Sequence, residues 1–210
     1  MRDITSELVE LVRITSTDLS NSIQEALDKA RAVETEGSAA QAAMVSILEN
    51  VEMSRRNQTP ICQDTGTPLF FVKYGQSWEP GALKTQIRAA IAEATKRSYL
   101  RPNAVDSLHG KNTGNNLGDD NFPTIHLQEI PGDELIVDLM LKGGGCENVG
   151  RQYSLPDVGL GADRDLEGVR KVVLDAVYQA QGQGCAPGFL GVAIGGDRGS
   201  GYLVSKEALL

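Results

Sequence analysis

The part of the sequence that decides the fold is residues 59–74, where Thr-Pro-Ile-Cys-Gln-Asp-Thr-Gly-Thr-Pro (59–68) is followed by Leu-Phe-Phe-Val-Lys-Tyr (69–74). The first ten residues contain two prolines, a glycine and an aspartate, which are typical of a turn-forming loop. The next six form a nearly continuous apolar run, which predicts a short buried strand. A loop that carries a cysteine and an acid therefore leads directly into the predicted sheet.

The sequence before this loop predicts three helices. Apolar residues recur every three or four positions from Ile4 to Val12 and again from Ile23 to Ala30, as on one face of a helix. A third segment, 39–52, has the same spacing, and Ser38 is placed to cap its N-terminus. We expect this helical subregion, residues 1–58, to contribute packing rather than chemistry.

The sequence after the loop predicts both helices and strands. Helices are predicted at 81–100 and 166–181, and the start of another at 205–210. Strands are predicted at 124–130, 134–142 and 189–194, the first two joined as a hairpin by Pro-Gly-Asp at 131–133.

These elements together predict a mixed α/β (α+β) fold. A helical N-terminal layer packs on a mixed β-sheet of about four or more strands, and the cysteine-bearing loops gather at one end of the sheet. We expect a single domain over residues 1–210, with the sheet and these loops in residues 59–210.

The composition excludes several classes of protein. The 210 residues are 40% hydrophobic and 23% charged, with 20 Lys and Arg against 28 Asp and Glu, a net charge of −8. An acidic chain is poorly suited to neutralise nucleic-acid phosphates. No apolar run approaches the roughly 18 residues of a membrane span, and the N-terminus lacks the apolar core of a secretion signal. These features predict a cytoplasmic protein without a nucleic-acid or membrane partner.

Three cysteines, Cys62, Cys146 and Cys185, each lie beside glycine or proline in loop sequence. An odd number without a secretion signal argues against a disulfide framework. Three thiolates from converging loops can hold one metal ion or cluster and leave one coordination position open for substrate. The alternative is that each cysteine is a small buried hydrophobic residue. A zinc ion with three thiolates and His109 is a further alternative.

Other polar residues have both a functional and a structural interpretation. Asp64, two residues after Cys62, is placed to act as a general base or to open a turn. Arg101 can form a bidentate pair with a substrate carboxylate or lie in solvent at a helix end. The polar loop at 108–116 is either an anion-binding nest or an ordinary loop, and its His109 is a weak acid–base candidate. His126, within a predicted strand, is expected to pack or to form a hydrogen bond.

Five segments in order carry a resemblance to a known family. They are Pro-Ile-Cys-Gln-Asp-Thr-Gly-Thr (60–67), Arg-Pro-Asn-Ala-Val (101–105), Gly-Lys-Asn-Thr-Gly (110–114), Lys-Gly-Gly-Gly-Cys-Glu-Asn (142–148) and Gly-Cys-Ala-Pro-Gly (184–188). The chain resembles the alpha part of class I, iron–sulfur-dependent fumarate hydratases and the related L(+)-tartrate dehydratases.

The resemblance implies a specific site. A [4Fe–4S] cluster is expected on Cys62, Cys146 and Cys185, with an open iron that acts as a Lewis acid on a small dicarboxylate substrate. Gln63, Asp64, Arg101 and Gly114 are the expected substrate-binding residues, and Asp64 is also the expected catalytic base.

The resemblance also implies an activity and a partner. The expected reaction is the reversible hydration of fumarate to (S)-malate. The family's alpha part continues beyond Leu210, and a beta subunit or beta domain completes its site. We therefore expect a truncated alpha portion that is inactive alone, active with the beta part, and associated as a homo-oligomer. An L(+)-tartrate or mesaconate dehydratase, or a non-enzymatic metal- or cluster-binding module, are the alternatives.

Overall fold

The computed structural model describes residues 2–64 and 67–210, so Thr65 and Gly66 of the first motif lie outside the described residues. The chain divides into two compact units, Met1–Gly143 and Gly144–Leu210. The first unit holds the sheet and the Cys62 loop, and the second holds Cys146 and Cys185. The expectation of a single domain over the whole chain stays a prediction.

The helices of the first unit follow the predicted spacing. They are α1 (Thr5–Thr17), α2 (Asn21–Val33), α3 (Ala39–Asn57) and α4 (Pro80–Lys96). Ser38 caps α3 as predicted, because its hydroxyl accepts a hydrogen bond from Gln41 N at 3.1 Å. Helix α4 ends at Lys96, four residues before the predicted end, because Ser98 turns into the left-handed region with φ 63°.

The sheet of the first unit is mixed, as predicted, but smaller than expected. Its strands are β1 (Thr67–Tyr74), β4 (Thr124–Glu129) and β5 (Leu135–Lys142), in the order β4-β1-β5. Strand β1 runs parallel to β4 and antiparallel to β5. Two further strands, β2 (Val105–Asp106) and β3 (Lys111–Asn112), form a separate ribbon, of which β3 lies within the predicted polar loop at 108–116 and β2 just before it. In the described residues, the main sheet therefore has three strands rather than four or more.

The predicted hairpin between β4 and β5 is wrong, because β1 lies between them. The connection at 130–134 crosses the end of β1: Ile130 N donates to Tyr74 O, and Gly75 N donates to Glu134 O, at 2.9 and 2.8 Å. Five residues readily span the roughly 10 Å of two strand spacings. A Cβ at Gly75 would collide with Gly132 O, so this crossing needs glycine. The apolar β1 thereby gains a hydrogen-bonded neighbour on each side.

The core of the first unit is the layer between this sheet and helices α1 and α4. Phe70 of β1 is fully buried, and Ile87 of α4 is 1% exposed. Burial of each such side chain contributes about 1.5–3 kcal/mol. The N-terminal layer is thus present, but only α1 of the first three helices contributes to this core cluster, whose members are Ile4, Leu8, Val9, Val12, Phe70, Val72, Leu83, Ile87, Ala90, Ile91, Ala94, Leu100 and Leu139.

The second unit contains three helices, α5 (Gly144–Asn148), α6 (Leu166–Ala180) and α7 (Arg198–Glu207). Helix α6 matches its prediction to within one residue. Helix α7 begins seven residues before the predicted start, because the Asp197 carboxylate caps it by accepting from Gly199 N and Ser200 N at 2.9 and 3.2 Å.

The predicted strand at 189–194 is wrong. The segment forms no strand and pairs with no other segment in the described part of the chain. Its apolar residues Phe189, Leu190 and Ile194 remain 48–67% exposed. A Cβ at Gly191 would collide with Ser205 O, so the segment lies against the backbone of α7. Strand-forming residues do not make a strand without a neighbour to supply the hydrogen bonds.

Membrane insertion through a helix has no support in the described residues, since none of their helices is both long and apolar enough to cross a bilayer.

Candidate functional site

The Cys62 loop is anchored to the helices that precede it. Ile61 N donates to Ser16 O of α1 at 2.9 Å, and Asn50 Nδ2 of α3 donates to Ile61 O at 2.8 Å. Next along the loop, the backbone N–H of Asp64 donates to Cys62 Sγ at 3.4 Å. Backbone N–H groups aimed at sulfur stabilise a thiolate and tune iron–sulfur centres. The helical subregion therefore positions the first predicted ligand, besides packing.

The Arg101 loop lies directly on the Cys62 loop. Asn103 Nδ2 donates to Gln63 O at 3.1 Å, which joins two of the motifs singled out from the sequence. The side chain of Arg101 is exposed, and within the described residues its guanidinium makes no hydrogen bond or ion pair. An exposed guanidinium without such a partner is available for a bidentate pair with a carboxylate.

A buried asparagine holds this loop in place, and the sequence analysis did not single it out. Asn116 is 1% exposed and has φ 57°. Its Nδ2 donates to Arg101 O at 2.8 Å and to Thr95 Oγ1 at 3.1 Å, while its Oδ1 accepts from Ala104 N at 3.1 Å. These bonds span the Arg101 loop from both ends. The only available signal was the Asn-Asn pair at 115–116, since asparagine tolerates the left-handed conformation.

The predicted contact at Gly114 belongs to the same polar network. Asn112 Nδ2 donates to Pro102 O at 2.6 Å, and its Oδ1 accepts from Gly114 N at 2.7 Å. Gly114 adopts φ 76°, a conformation that favours glycine. Its backbone N–H is thus already engaged by Asn112, and its role in substrate binding stays a prediction.

Asp64 lies against the end of β5. A Cβ at Gly143 would be 3.0 Å from Asp64 O and 3.3 Å from its Oδ2. The first glycine of the Gly-Gly-Gly run therefore allows the Asp64 carboxylate to approach the sheet closely. The first unit therefore brings the Arg101 loop into contact with the loop that carries Cys62, Gln63 and Asp64.

Replacing Asn116 by alanine is expected to destabilise the first unit by about 2–3 kcal/mol, because it removes a buried amide and leaves its partners unsatisfied. Urea unfolding followed by circular dichroism measures the change. Asn115→Ala, at the exposed neighbouring position, is the matched control and should cost less than about 1 kcal/mol. Equal losses for both variants would show that the three bonds of Asn116 do not hold the loop.

The second unit brings the segments of Cys146 and Cys185 into contact. Cys146 lies in the one-turn helix α5, and a Cβ at Gly184 would be 3.5 Å from a methyl of Val149 and 3.9 Å from Gly145 O. Both thiols are exposed, Cys62 is half-buried, and all three are free of disulfides. Among the residues described, no three His, Cys, Asp or Glu side chains form a group that could hold a metal ion. The three-cysteine ligand set therefore stays a prediction.

The two histidines lie in different environments. His126 stacks on Phe71 with ring centroids 5.1 Å apart, which confirms its predicted packing role. The exposed His109 has Nδ1 2.6 Å from Asp106 Oδ2, and this hydrogen bond lowers the pKa of the Asp106 carboxyl. The orientation of His109 by Asp106 is compatible with acid–base work, for which it stays a weak candidate.

Comparisons with known proteins match most or all of this chain. The family model described as "Fumarate hydratase (Fumerase)" matches residues 5–210. A protein of Geobacillus stearothermophilus named "Putative fumarate hydratase class I" is 48% identical over 212 residues, which cover 100% of this chain and 41% of the relative. The chain thus spans about two fifths of that relative's length.

Two further relatives carry a different name. "Putative L(+)-tartrate dehydratase subunit alpha" of Methanocaldococcus jannaschii is 31% identical over 99% of this chain and 72% of its own length. "L(+)-tartrate dehydratase subunit alpha" of Escherichia coli strain K12 is 32% identical over 79% of this chain and 53% of its own length. The match of the family model over nearly all residues decides the assignment: the chain belongs to the fumarate hydratase (Fumerase) family.

Proposed function

We propose that this chain is the alpha portion of a hydro-lyase that adds water reversibly to fumarate and forms (S)-malate. The observation that carries the proposal is the hydrogen bond from Asn103 Nδ2 to Gln63 O. This bond joins the loop of Arg101, whose side chain is exposed, to the separate loop that carries Asp64 and Cys62. The 48% identity to a protein named as a class I fumarate hydratase supports the same reaction.

The proposed cofactor is a [4Fe–4S] cluster held by Cys62, Cys146 and Cys185. The donor set fits this group, because none of the three cysteines is in a disulfide and sulfur is the ligand of iron–sulfur clusters. The N–H of Asp64 on Cys62 Sγ is a further feature suited to such a sulfur. When bound, a cluster with three protein ligands supplies an open iron that acts as a Lewis acid on a substrate oxygen.

Asp64 is the proposed base. Dehydration of malate removes a proton from one carbon and hydroxide from the next, and hydration returns both. In this scheme the Asp64 carboxylate accepts the carbon-bound proton during dehydration and returns it during hydration. Its carboxylate lies beside the backbone of Gly143 at the end of β5.

Arg101, Gln63 and Gly114 are the proposed substrate-orienting residues. The guanidinium of Arg101 pairs with one substrate carboxylate, and the Gln63 amide donates a hydrogen bond to a substrate oxygen. Such fixed pairing places the reacting carbons against Asp64, and orientation of this kind accounts for a large part of catalysis. Gly114 contributes through the loop that Asn112 ties to Pro102.

A beta part is proposed as the partner, because relatives at 31–32% identity are named as alpha subunits. A homo-oligomer is proposed as well. A cytoplasmic location is also proposed, since cysteines outside disulfides are typical of reducing compartments. L(+)-tartrate is the second candidate substrate, favoured by the names of these same relatives. Fumarate is the preferred candidate, because this chain is 48% identical to the relative named as a fumarate hydratase and 31–32% identical to those named as tartrate dehydratase subunits.

A substrate comparison tests the proposed function. The anaerobically reconstituted chain is combined with the family's beta part and assayed with fumarate, L-tartrate and mesaconate. We expect fumarate to have the highest kcat/KM by about tenfold or more, the discrimination available from one hydroxyl or methyl group. A higher kcat/KM for L-tartrate would show that tartrate dehydration, rather than fumarate hydration, is the reaction of this chain. A cluster-loaded complex that turns over none of the three substrates would contradict the hydro-lyase proposal.

A further inference from the structure

Helix α7 packs on the short helix that carries Cys146. The Nζ of Lys206 lies 2.6 Å from Glu147 Oε1, and it also lies 5.1 Å from the centroid of the Tyr202 ring. The hydroxyl of Tyr202 donates to the backbone carbonyl of Glu147 at 3.4 Å. Two side chains of α7 thus contact both the carboxylate and the main chain of the residue that follows Cys146.

The surrounding backbone is built to allow this contact. A Cβ at Gly150 would collide with the hydroxyl of Tyr202, so a glycine is needed for the tyrosine to reach α5. Two residues later, Gln152 Nε2 donates to Arg198 O at the start of α7 at 2.8 Å. The segment after α5 therefore contacts the start and the middle of α7.

The ion pair is more protected than its counterparts on the helix surfaces of this unit. The side chains of Lys206 and Glu147 are 16% and 32% exposed, whereas Arg170 and Glu167 of α6 are 61% and 54% exposed. Exposed pairs contribute little to stability, and protection from solvent strengthens a charged hydrogen bond. A five-residue helix is unstable by itself, so its orientation depends on contacts of this kind.

On this basis we propose that Lys206 and Tyr202 are positioning residues. They hold the helix of Cys146 in the orientation that keeps the Cys146 thiol close to that of Cys185. The neighbouring Gly145 and Gly184 show that these two segments touch. The proposal rests on the proposed function insofar as the two thiols are to serve as ligands of one cluster. The positioning itself is a property of the protein without a cofactor, and can be tested there.

The test is a thiol cross-linking rate in the reduced, cofactor-free chain of 210 residues. Cys62→Ser leaves only Cys146 and Cys185, and dibromobimane becomes fluorescent when two nearby thiols displace both of its bromides. In this background we expect Lys206→Met to slow cross-linking about tenfold, the scale on which loss of a partner beside a metal ligand acts. Lys206→Arg should restore the rate, and Tyr202→Phe should give a smaller decrease.

Arg170→Met is the matched control, since it removes the exposed pair of α6 and should leave the rate unchanged. Circular dichroism and single-thiol alkylation by iodoacetamide are measured on each variant, so that unfolding is separated from a change of register. Equal cross-linking by Lys206→Met and its parent would overturn the proposal. A parent that does not cross-link at all would overturn it as well.

Iron uptake separates this inference from the proposed function. With Cys62 restored, Lys206→Met is expected to lose cluster absorbance in air about tenfold faster than the wild type. If the wild type binds no iron but Lys206 still controls cross-linking, the cluster proposal fails and the positioning role stands. If the cluster forms and bleaches equally in both proteins, the positioning role is contradicted.

Discussion

Replacing Asp64 by asparagine is expected to lower kcat for fumarate hydration by about 10²–10⁴-fold, the usual contribution of a positioned general base. The amide keeps the size and most contacts of the carboxylate, but it cannot accept the carbon-bound proton. Steady-state assays of the reconstituted chain with the beta part measure the loss. Iron and sulfide content should remain that of the wild type, because Asp64 approaches Cys62 through its backbone N–H.

The matched control for this prediction is Asp120→Asn. Asp120 is an exposed acid of the same unit, in the loop before β4, and its replacement should change kcat by less than about twofold. If Asp64→Asn kept near-wild-type activity at full cluster content, the base would have to be another group, and the exposed His109, held by Asp106, would be the next candidate.

The second large effect is expected for Arg101→Lys, which should lower kcat/KM by about 10–100-fold, mainly through a higher KM. Lysine keeps the charge but cannot form two parallel hydrogen bonds to a carboxylate. Loss of one such charged hydrogen bond costs about 1.5–3 kcal/mol. Substrate titrations of the reconstituted complex separate KM from kcat.

Arg97→Lys is the control for the arginine prediction, because Arg97 lies four residues earlier and is paired with Glu93 at 2.7 Å. It should leave both kinetic constants close to the wild type. An Arg101→Lys enzyme with unchanged KM would contradict the assignment of this guanidinium to a substrate carboxylate.

The helices could be predicted from the sequence because their apolar spacing is a local property. Ser38 and the segments of α1 to α3 are examples. The order of the strands could not be predicted in this way, because it depends on pairing between segments that are distant in the sequence. Residues 131–133 have the composition of a hairpin turn, yet the connection crosses β1. Strand β1 is mostly buried, so its backbone groups need a hydrogen-bonded strand on each edge.

The C-terminal elements were mispredicted for related reasons. The segment 189–194 has the residues of a strand but no neighbouring strand in the described residues, and backbone pairing cannot be deduced from propensity. Helix α7 was placed too late because Gly199 and Gly201 disfavour helix, while the cap at Asp197 overrides that preference.

The candidate site was partly predictable for the opposite reason, since its motifs are contiguous in sequence. Cys62, Gln63 and Asp64 share one loop, and Arg101 was visible as a cation just after the predicted end of a helix. Asn116, which holds the Arg101 loop, and Lys206, which contacts the helix of Cys146, could not be found in the same way. Their roles depend on tertiary contacts across 15 and 59 positions of the chain.

Anaerobic reconstitution with iron and sulfide tests the central claim most directly, on the wild-type chain and on Cys146→Ser. We predict that the wild type takes up about four irons and four sulfides with brown, air-sensitive absorbance, and that Cys146→Ser does not hold this cluster. Cys62→Ser and Cys185→Ser should behave in the same way. A wild-type chain that stays colourless and binds a single zinc ion instead would contradict the iron–sulfur assignment for this chain.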